Sequence, residues 1–295
     1  MGDYSKALEF HDKVLKIQEK TLPPNHPSLA TSYNNIGAVY DNMGDYSKAL
    51  EFHEKALKIY EKTLPPNHPS LATSYNNIGS VYDHMGDYSK ALEFYEKALK
   101  IQGKTLPPNH PSLASSYNNI GSVYDKKAEY SKALEFYDKT LKIQEKTLPP
   151  NHPDLATSYN NIGAVYDNMG DHSKALEFYE KSHIILEKAL SPNHPNLAAS
   201  YNNIGAVYDN MGDYSKALEF YDKTLKIEEK TLPPNHPSLA TSYDNIGSVH
   251  YKMGDYSKAL SFLEKTLAIF QKSLPPTHPH IKRALDNINH VKQKM

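Results

Sequence analysis

Apolar residues recur along this chain with helical spacing, in blocks broken by proline and glycine. Within residues 26–67, Tyr33, Ile36, Gly37 and Tyr40 fall at i, i+3, i+4 and i+7, which aligns them as one stripe of an α-helix. A second apolar set follows in Ala49, Phe52, Ala56, Leu57 and Ile59. Pro27 suits a first helical turn, where its missing N–H is not needed. Gly44 supplies a left-handed residue to end that helix, and Asp45 is placed to cap the next. Pro65 and Pro66 stop the second helix, because Leu64, before a proline, is pushed out of helical geometry. The pattern predicts a helix hairpin, and no segment carries a strand signal.

The block then repeats. His-Pro recurs at 26, 68, 110, 152, 194, 236 and 278, always 42 residues apart. Six complete units follow, 26–67, 68–109, 110–151, 152–193, 194–235 and 236–277, with 1–25 matching a second helix and 278–295 a first helix. One hairpin cannot bury both faces, but stacked hairpins share a core.

The series Tyr33-Asn34-Asn35-Ile36-Gly37, Tyr40, Gly44-Asp45-Tyr46, Ala49 and Ala56 resembles the tetratricopeptide motif, with Gly37, Ala49 and Ala56 small where helices approach. The 42-residue length, the His-Pro opening and the Leu-Lys-Ile-x-Glu-Lys tail resemble the repeats of kinesin light chains and nephrocystin-type proteins. The resemblance covers essentially the whole chain. It implies an all-α, right-handed superhelical solenoid of antiparallel helix pairs, and a non-enzymatic scaffold or adaptor for protein binding.

The two ends differ. Met1 occupies the place of Met43, Met85, Met169, Met211 and Met253, so residues 1–25 are expected to be the second helix of a truncated first repeat. The end near Leu8 and Leu15 is then expected to expose apolar surface through which the chain could self-associate. At the other end Lys282, Arg283, Asn289 and Lys292 replace Ala30, Thr31, Gly37 and Tyr40, which predicts a solvated capping helix over 278–295. One joint also departs from the template. Lys126-Lys127-Ala128-Glu129 replaces the Asn-Met-Gly-Asp of residues 42–45, so unit 110–151 is the expected weak point.

Composition narrows the function. Of 295 residues, 39% are hydrophobic and 23% charged, as in a folded chain, and the net charge of −1 favours neither nucleic acid nor an anionic membrane. Cysteine is absent, which removes disulfides and thiolate chemistry and suits a cytoplasmic setting. No apolar run is long enough for a membrane helix. Fifteen histidines invite a metal reading, but seven belong to the His-Pro step and sit one per repeat at helix starts, where a capping role suffices. His278 and His280 lack a third ligand spacing. Glu51, Glu54, Lys55 and Lys58 form a solvated face with Glu54 and Lys58 as an i,i+4 pair. No nucleophile, phosphate-loop or zinc-protease motif occurs, so no catalysis, cofactor or metal is expected.

The remaining candidate is the inner face of the first helices. Asn34, Ala38 and Asp41 share one side there, flanked by Thr31. In tetratricopeptide proteins the matching face lines the concave groove. The ladder runs Asn34, Asn76, Asn118, Asn160, Asn202 and Asp244, rimmed by Asp41, Asp83, Asp125, Asp167 and Asp209, with Lys126 and Lys252 as local exceptions. Asparagine costs about 0.5 kcal/mol relative to alanine inside a helix, so helix preference did not choose it. Groove clamps for acidic peptides carry lysine and arginine on this face; the acidic rim here favours an extended neutral or basic peptide. Two alternatives stand beside this reading. One is the cargo-binding region of a kinesin-light-chain-like motor subunit, and the other is a regulatory array of a larger protein.

Overall fold

The computed structural model describes residues 4–295; the expectation that rests on Met1 lies outside the described residues. Among these, fourteen helices and no strand occur. By contacts they divide into two compact units, one ending at Thr147 and one beginning at Leu148. The first unit holds α1 (Tyr4–Thr21), α2 (Pro27–Asn42), α3 (Tyr46–Thr63), α4 (Pro69–His84), α5 (Tyr88–Thr105), α6 (Pro111–Lys126) and α7 (Tyr130–Thr147). The second holds α8 (Pro153–Asn168), α9 (His172–Ala189), α10 (Pro195–Asn210), α11 (Tyr214–Thr231), α12 (Pro237–Lys252), α13 (Tyr256–Ser273) and α14 (Pro279–Lys292). The protein is an all-α array of helix hairpins, as the repeat predicts.

Punctuation follows the sequence closely. His26 Nδ1 accepts the Ser28 backbone N–H at 3.2 Å, with Pro27 inside the first turn, and the same cap forms at every later His-Pro step. These seven histidines therefore satisfy orphan donors at helix starts. Asp45 accepts the Lys48 N–H at 3.3 Å and opens α3. Between the paired helices Gly44 adopts φ +78°, with its N–H bonded to Asp41 O and that of Asp45 to Tyr40 O. At the divergent joint the same two bonds form around Ala128, Ala128 N–H to Asp125 O and Glu129 N–H to Tyr124 O, with φ +57°. An alanine held there costs about 1 kcal/mol.

Each hairpin closes on a glycine. A Cβ on Gly79 would lie 2.8 Å from the Tyr95 ring, and one on Gly205 would lie 2.9 Å from Tyr221. Phe94 packs between Tyr75 and Tyr82, stacked on the latter with 5.6 Å between centroids, and Phe220 does the same between Tyr201 and Tyr208. Ile36, Ile78, Ile120, Ile204 and Ile246 are fully buried beneath this seam.

The end near Leu8 and Leu15 does expose apolar surface, though not through those two side chains: Leu15 is buried and Leu8 packs with it against α2. The most exposed apolar side chains of α1 are Phe10 (67%) and Ile17 (63%), because the described residues include no first helix to lie over Phe10 as Tyr33 and Tyr40 lie over Phe52. On α3 the ion pair is Lys55 with Glu51 at 2.6 Å, not Glu54 with Lys58. At the other end Lys282, Arg283, Asn289 and Lys292 are exposed, while Ile281, Ala284, Ile288 and Val291 are buried. Among the described residues no helix is long and apolar enough to cross a membrane.

Candidate functional site

The first helices present Thr31, Asn34, Ala38 and Asp41 along one side. The asparagine recurs at 76, 118, 160 and 202 and the aspartate at 83, 125, 167 and 209, while residues 236–277 carry Asp244 and Tyr251 in their places. The asparagines are half-buried rather than free on the surface, and several are tied to a neighbour. Asn34 Oδ1 lies 2.9 Å from His53 Nδ1, and Asn76 Nδ2 reaches Ser116 Oγ at 3.5 Å. In the second unit Asn203 Nδ2 donates to Asn160 Oδ1 at 2.8 Å, and Asn245 Nδ2 to Asn202 Oδ1 at 3.0 Å. The second asparagine of the Asn-Asn pair thus stitches one first helix to the previous one. Asn118 also has a polar partner.

The acidic rim is partly compensated: two of its five carboxylates are ion-paired with lysine. Lys126 Nζ binds Asp83 at 2.7 and 2.9 Å, and Lys252 binds Asp209 at 2.7 and 2.8 Å. His84 Nδ1 lies 2.9 Å from Asp41 Oδ1, and Arg283 meets Asp244 at 3.1 Å. Asp167 contacts His172 Nδ1 at 2.9 Å and accepts weakly from Asn210 at 3.4 Å, and Asp125 is likewise partnered. Lys126 and Lys252 are therefore not exceptions to the rim but its counter-ions. Each belongs to the next repeat, 43 residues on.

Below the ladder, cavities open where one second helix ends beside the start of the next first helix. In the first unit a cavity of about 280 Å³ is lined by Thr73, Gln102, Thr105 and His110. In the second, one of about 440 Å³ is lined by Asn202, Thr224, Glu228, Thr231, Thr241 and Ser242, and one of about 170 Å³ by Asn160, Ser182 and Leu186. A serine of the next first helix reaches this floor. Ser116 Oγ donates to Gln102 at 2.7 Å, Ser242 Oγ to Glu228 at 2.6 Å, and Ser32 Oγ to Gln18 at 2.7 Å. Burial raises the Glu228 pKa, opposed by the Ser242 hydrogen bond and by His236. These floor residues are absent from the sequence-based candidates. The signal that could have found them is repeat-to-repeat change: the position reads Gln18, Tyr60, Gln102, Gln144, Leu186, Glu228 and Phe270, while the preceding residue is isoleucine in all seven copies.

One histidine sits in the core instead. His53 takes the place of Tyr95 and its counterparts, 2% exposed, with its ring 2.8 Å from a Cβ built on Gly37. Desolvation drives its pKa down to about 4, against a smaller opposing pull from Asp41. It is a neutral packing residue.

Comparisons with known proteins agree with this architecture. The tetratricopeptide-repeat profile matches residues 1–62, 43–104, 70–146, 112–188, 154–230 and 210–272. Among solved structures, a Podospora anserina protein of nearly identical TPR-like repeats, assigned as a kinesin light chain, is 30% identical, covering 70% of this chain and 98% of that one with a TM-score of 0.62. BtubC (BKLC) of P. vanneervenii shares 22% identity over 80% of this chain and 96% of its own, with a TM-score of 0.68. The APC/C hetero-tetramer Cut9–Hcn1 matches with 18% identity over 98% of this chain and 48% of that one, TM-score 0.62, a likeness of fold. A search of curated protein sequences gave no significant match.

Proposed function

The chain belongs to the tetratricopeptide-repeat family, and we propose that it is a non-enzymatic interaction scaffold that holds an extended peptide along the first-helix face of its repeats. The observation that carries this reading is the ladder of half-buried asparagines standing directly over cavities. Side-chain amides offer both donor and acceptor to a peptide main chain. The partly compensated rim keeps net negative charge, so with neutral hydrogen bonding it favours a neutral or basic peptide over an acidic one. A cytoplasmic site of action belongs to the same proposal.

The test is to replace Asn76 and Asn118 together by alanine in one variant, and Asn160 and Asn202 in another, with Glu93→Ala as a surface control. Peptide capture should fall in both asparagine variants, by about 0.5–1.5 kcal/mol per lost hydrogen bond. Circular dichroism should be unchanged, because alanine is the better helix former. Capture at wild-type strength in both would remove the groove as the working surface.

The 30% match to the Podospora repeats favours one second reading, the cargo-binding part of a kinesin-light-chain-like subunit. Co-purification with a kinesin heavy chain separates the two. A plain scaffold retains none.

A further inference from the structure

We propose that the cavity of about 440 Å³ over Glu228 is an anchoring pocket for one lysine or arginine side chain of the bound peptide. The inference rests on the groove reading above and specifies the chemistry of one of its subsites.

Three observations converge on it. First, the rim carboxylates Asp41, Asp83 and Asp209 and the ladder residue Asp244 face a histidine, lysine or arginine from the next repeat, whereas Glu228 has no such group within ion-pair distance. Its bond is to the neutral Ser242 hydroxyl, which leaves a half-buried carboxylate with acceptor capacity still open. His236 lies at the edge of the cavity, but its Nδ1 is engaged as the acceptor of the Ser238 N–H at 3.2 Å, so that atom has no proton to offer Glu228. Second, the walls suit a long cationic side chain. Leu232 and Ala199 give an apolar flank for the methylene stem, and Thr224 and Thr231 complete the lining. Third, the equivalent floors are neutral: Gln102 in the first unit and Leu186 beside the smaller cavity in the second. A carboxylate at this one position, on the same backbone and with the same serine partner as Gln102, is not required for packing.

Burial pushes the Glu228 carboxyl upward from its ordinary value, so ionising it costs energy in the empty pocket. A guanidinium or ammonium group entering the cavity would reverse that. Such a charge-assisted bond forms out of bulk water, where it is stronger than on the surface.

The experiment screens the full chain against a bead-displayed random dodecapeptide library and sequences what is retained. It runs the wild type beside Glu228→Gln, Gln102→Glu and the double variant Asn160→Ala with Asn202→Ala. Wild-type selection should enrich lysine or arginine at one peptide position. For a selected peptide, replacing that residue by norleucine should weaken binding about tenfold or more. The norleucine penalty should vanish in Glu228→Gln, whose melting curve serves as its folding check. Gln102→Glu should add a second cationic preference. Asparagine-dependent retention with no cationic preference, or with a preference that survives Glu228→Gln, overturns the pocket assignment and leaves the groove reading standing. No retained peptide, or retention that ignores the asparagines, overturns the groove reading and the pocket with it.

Discussion

In residues 68–109 the floor side chain that accepts the serine hydroxyl of the next helix is an amide, Gln102; in residues 194–235 it is a carboxylate, Glu228. The hairpin packing beneath is shared. Tyr95 lies over Gly79 and Tyr221 over Gly205, Phe94 and Phe220 stack on the same tyrosines, and both units open on a histidine cap. Tyr95 and Gln102 are separated by seven residues, as are Tyr221 and Glu228, so each pair lies on one stripe of its helix, about 10 Å apart along the axis. The lower end of that stripe is clamped by the glycine of its own hairpin. The upper end emerges where the next repeat begins. One stripe thus spans two settings, and substitution at its upper end changes the cavity floor without touching the hairpin.

The largest test of this separation comes from a third copy of the clamped position, His53. Its folded pKa of about 4 lies below the ordinary 6.5, so the unfolded chain binds the extra proton between these values. Stability is then complete above about pH 6.5 and is lost as pH falls toward 4, by up to about 3 kcal/mol at 1.36 kcal/mol per unit. His53→Tyr should remove that loss in urea-unfolding curves taken at a series of pH values. An identical acid slope in wild type and variant would show that this position is not the buried clamp its tyrosine counterparts are.

Next in size, Gly79→Ala and Gly205→Ala should destabilise by similar amounts, about 1–3 kcal/mol for overpacking less a helix-propensity gain of about 1 kcal/mol. The contacts to be relieved are 2.8 Å and 2.9 Å. Unequal costs, measured by chemical denaturation, would break the claim that the two hairpins share one packing scheme. A smaller effect is expected at the divergent joint. Ala128→Gly should stabilise by about 1 kcal/mol, since glycine adopts φ +57° without a Cβ penalty. Amide exchange over residues 125–130 should slow in the variant and match that of the Gly86 joint.

Most of the fold was legible because it is written in local terms: helix period, proline stops, glycine joints and caps lie within a few residues of what they control. Asp45, Gly44 and the His-Pro caps all act as their positions predict. What escaped depends on how one repeat sits on the next. Lys126 neutralises Asp83 because helix stacking brings residues 43 apart to 2.7 Å, and nothing in the 42-residue period announces that diagonal. The floor position was legible in principle, as the place where nearly identical copies disagree, but its disagreement acquires meaning only beside a cavity.

The smallest expected effect decides most sharply what Glu228 is for. Burial raises its folded pKa above 4.5, so the folded state holds that proton more tightly than the unfolded chain does. Its contribution is favourable at low pH and is lost as pH rises through 4.5 toward the raised value, leaving the ionised carboxylate as a net cost at neutral pH. Glu228→Gln keeps an acceptor for Ser242, as Gln102 does for Ser116. At pH 7 it should therefore match or exceed wild-type stability, by no more than about 0.5 kcal/mol, as for most changes away from the core. Gln102→Glu should shift stability the other way by a comparable amount. Urea denaturation of both variants at pH 4 and pH 7 reads the sign directly. If Glu228→Gln instead lost about 1 kcal/mol or more at neutral pH, the carboxylate would be holding the fold together through Ser242, and the floor of 194–235 would differ from that of 68–109 in architecture rather than in what it is built to bind.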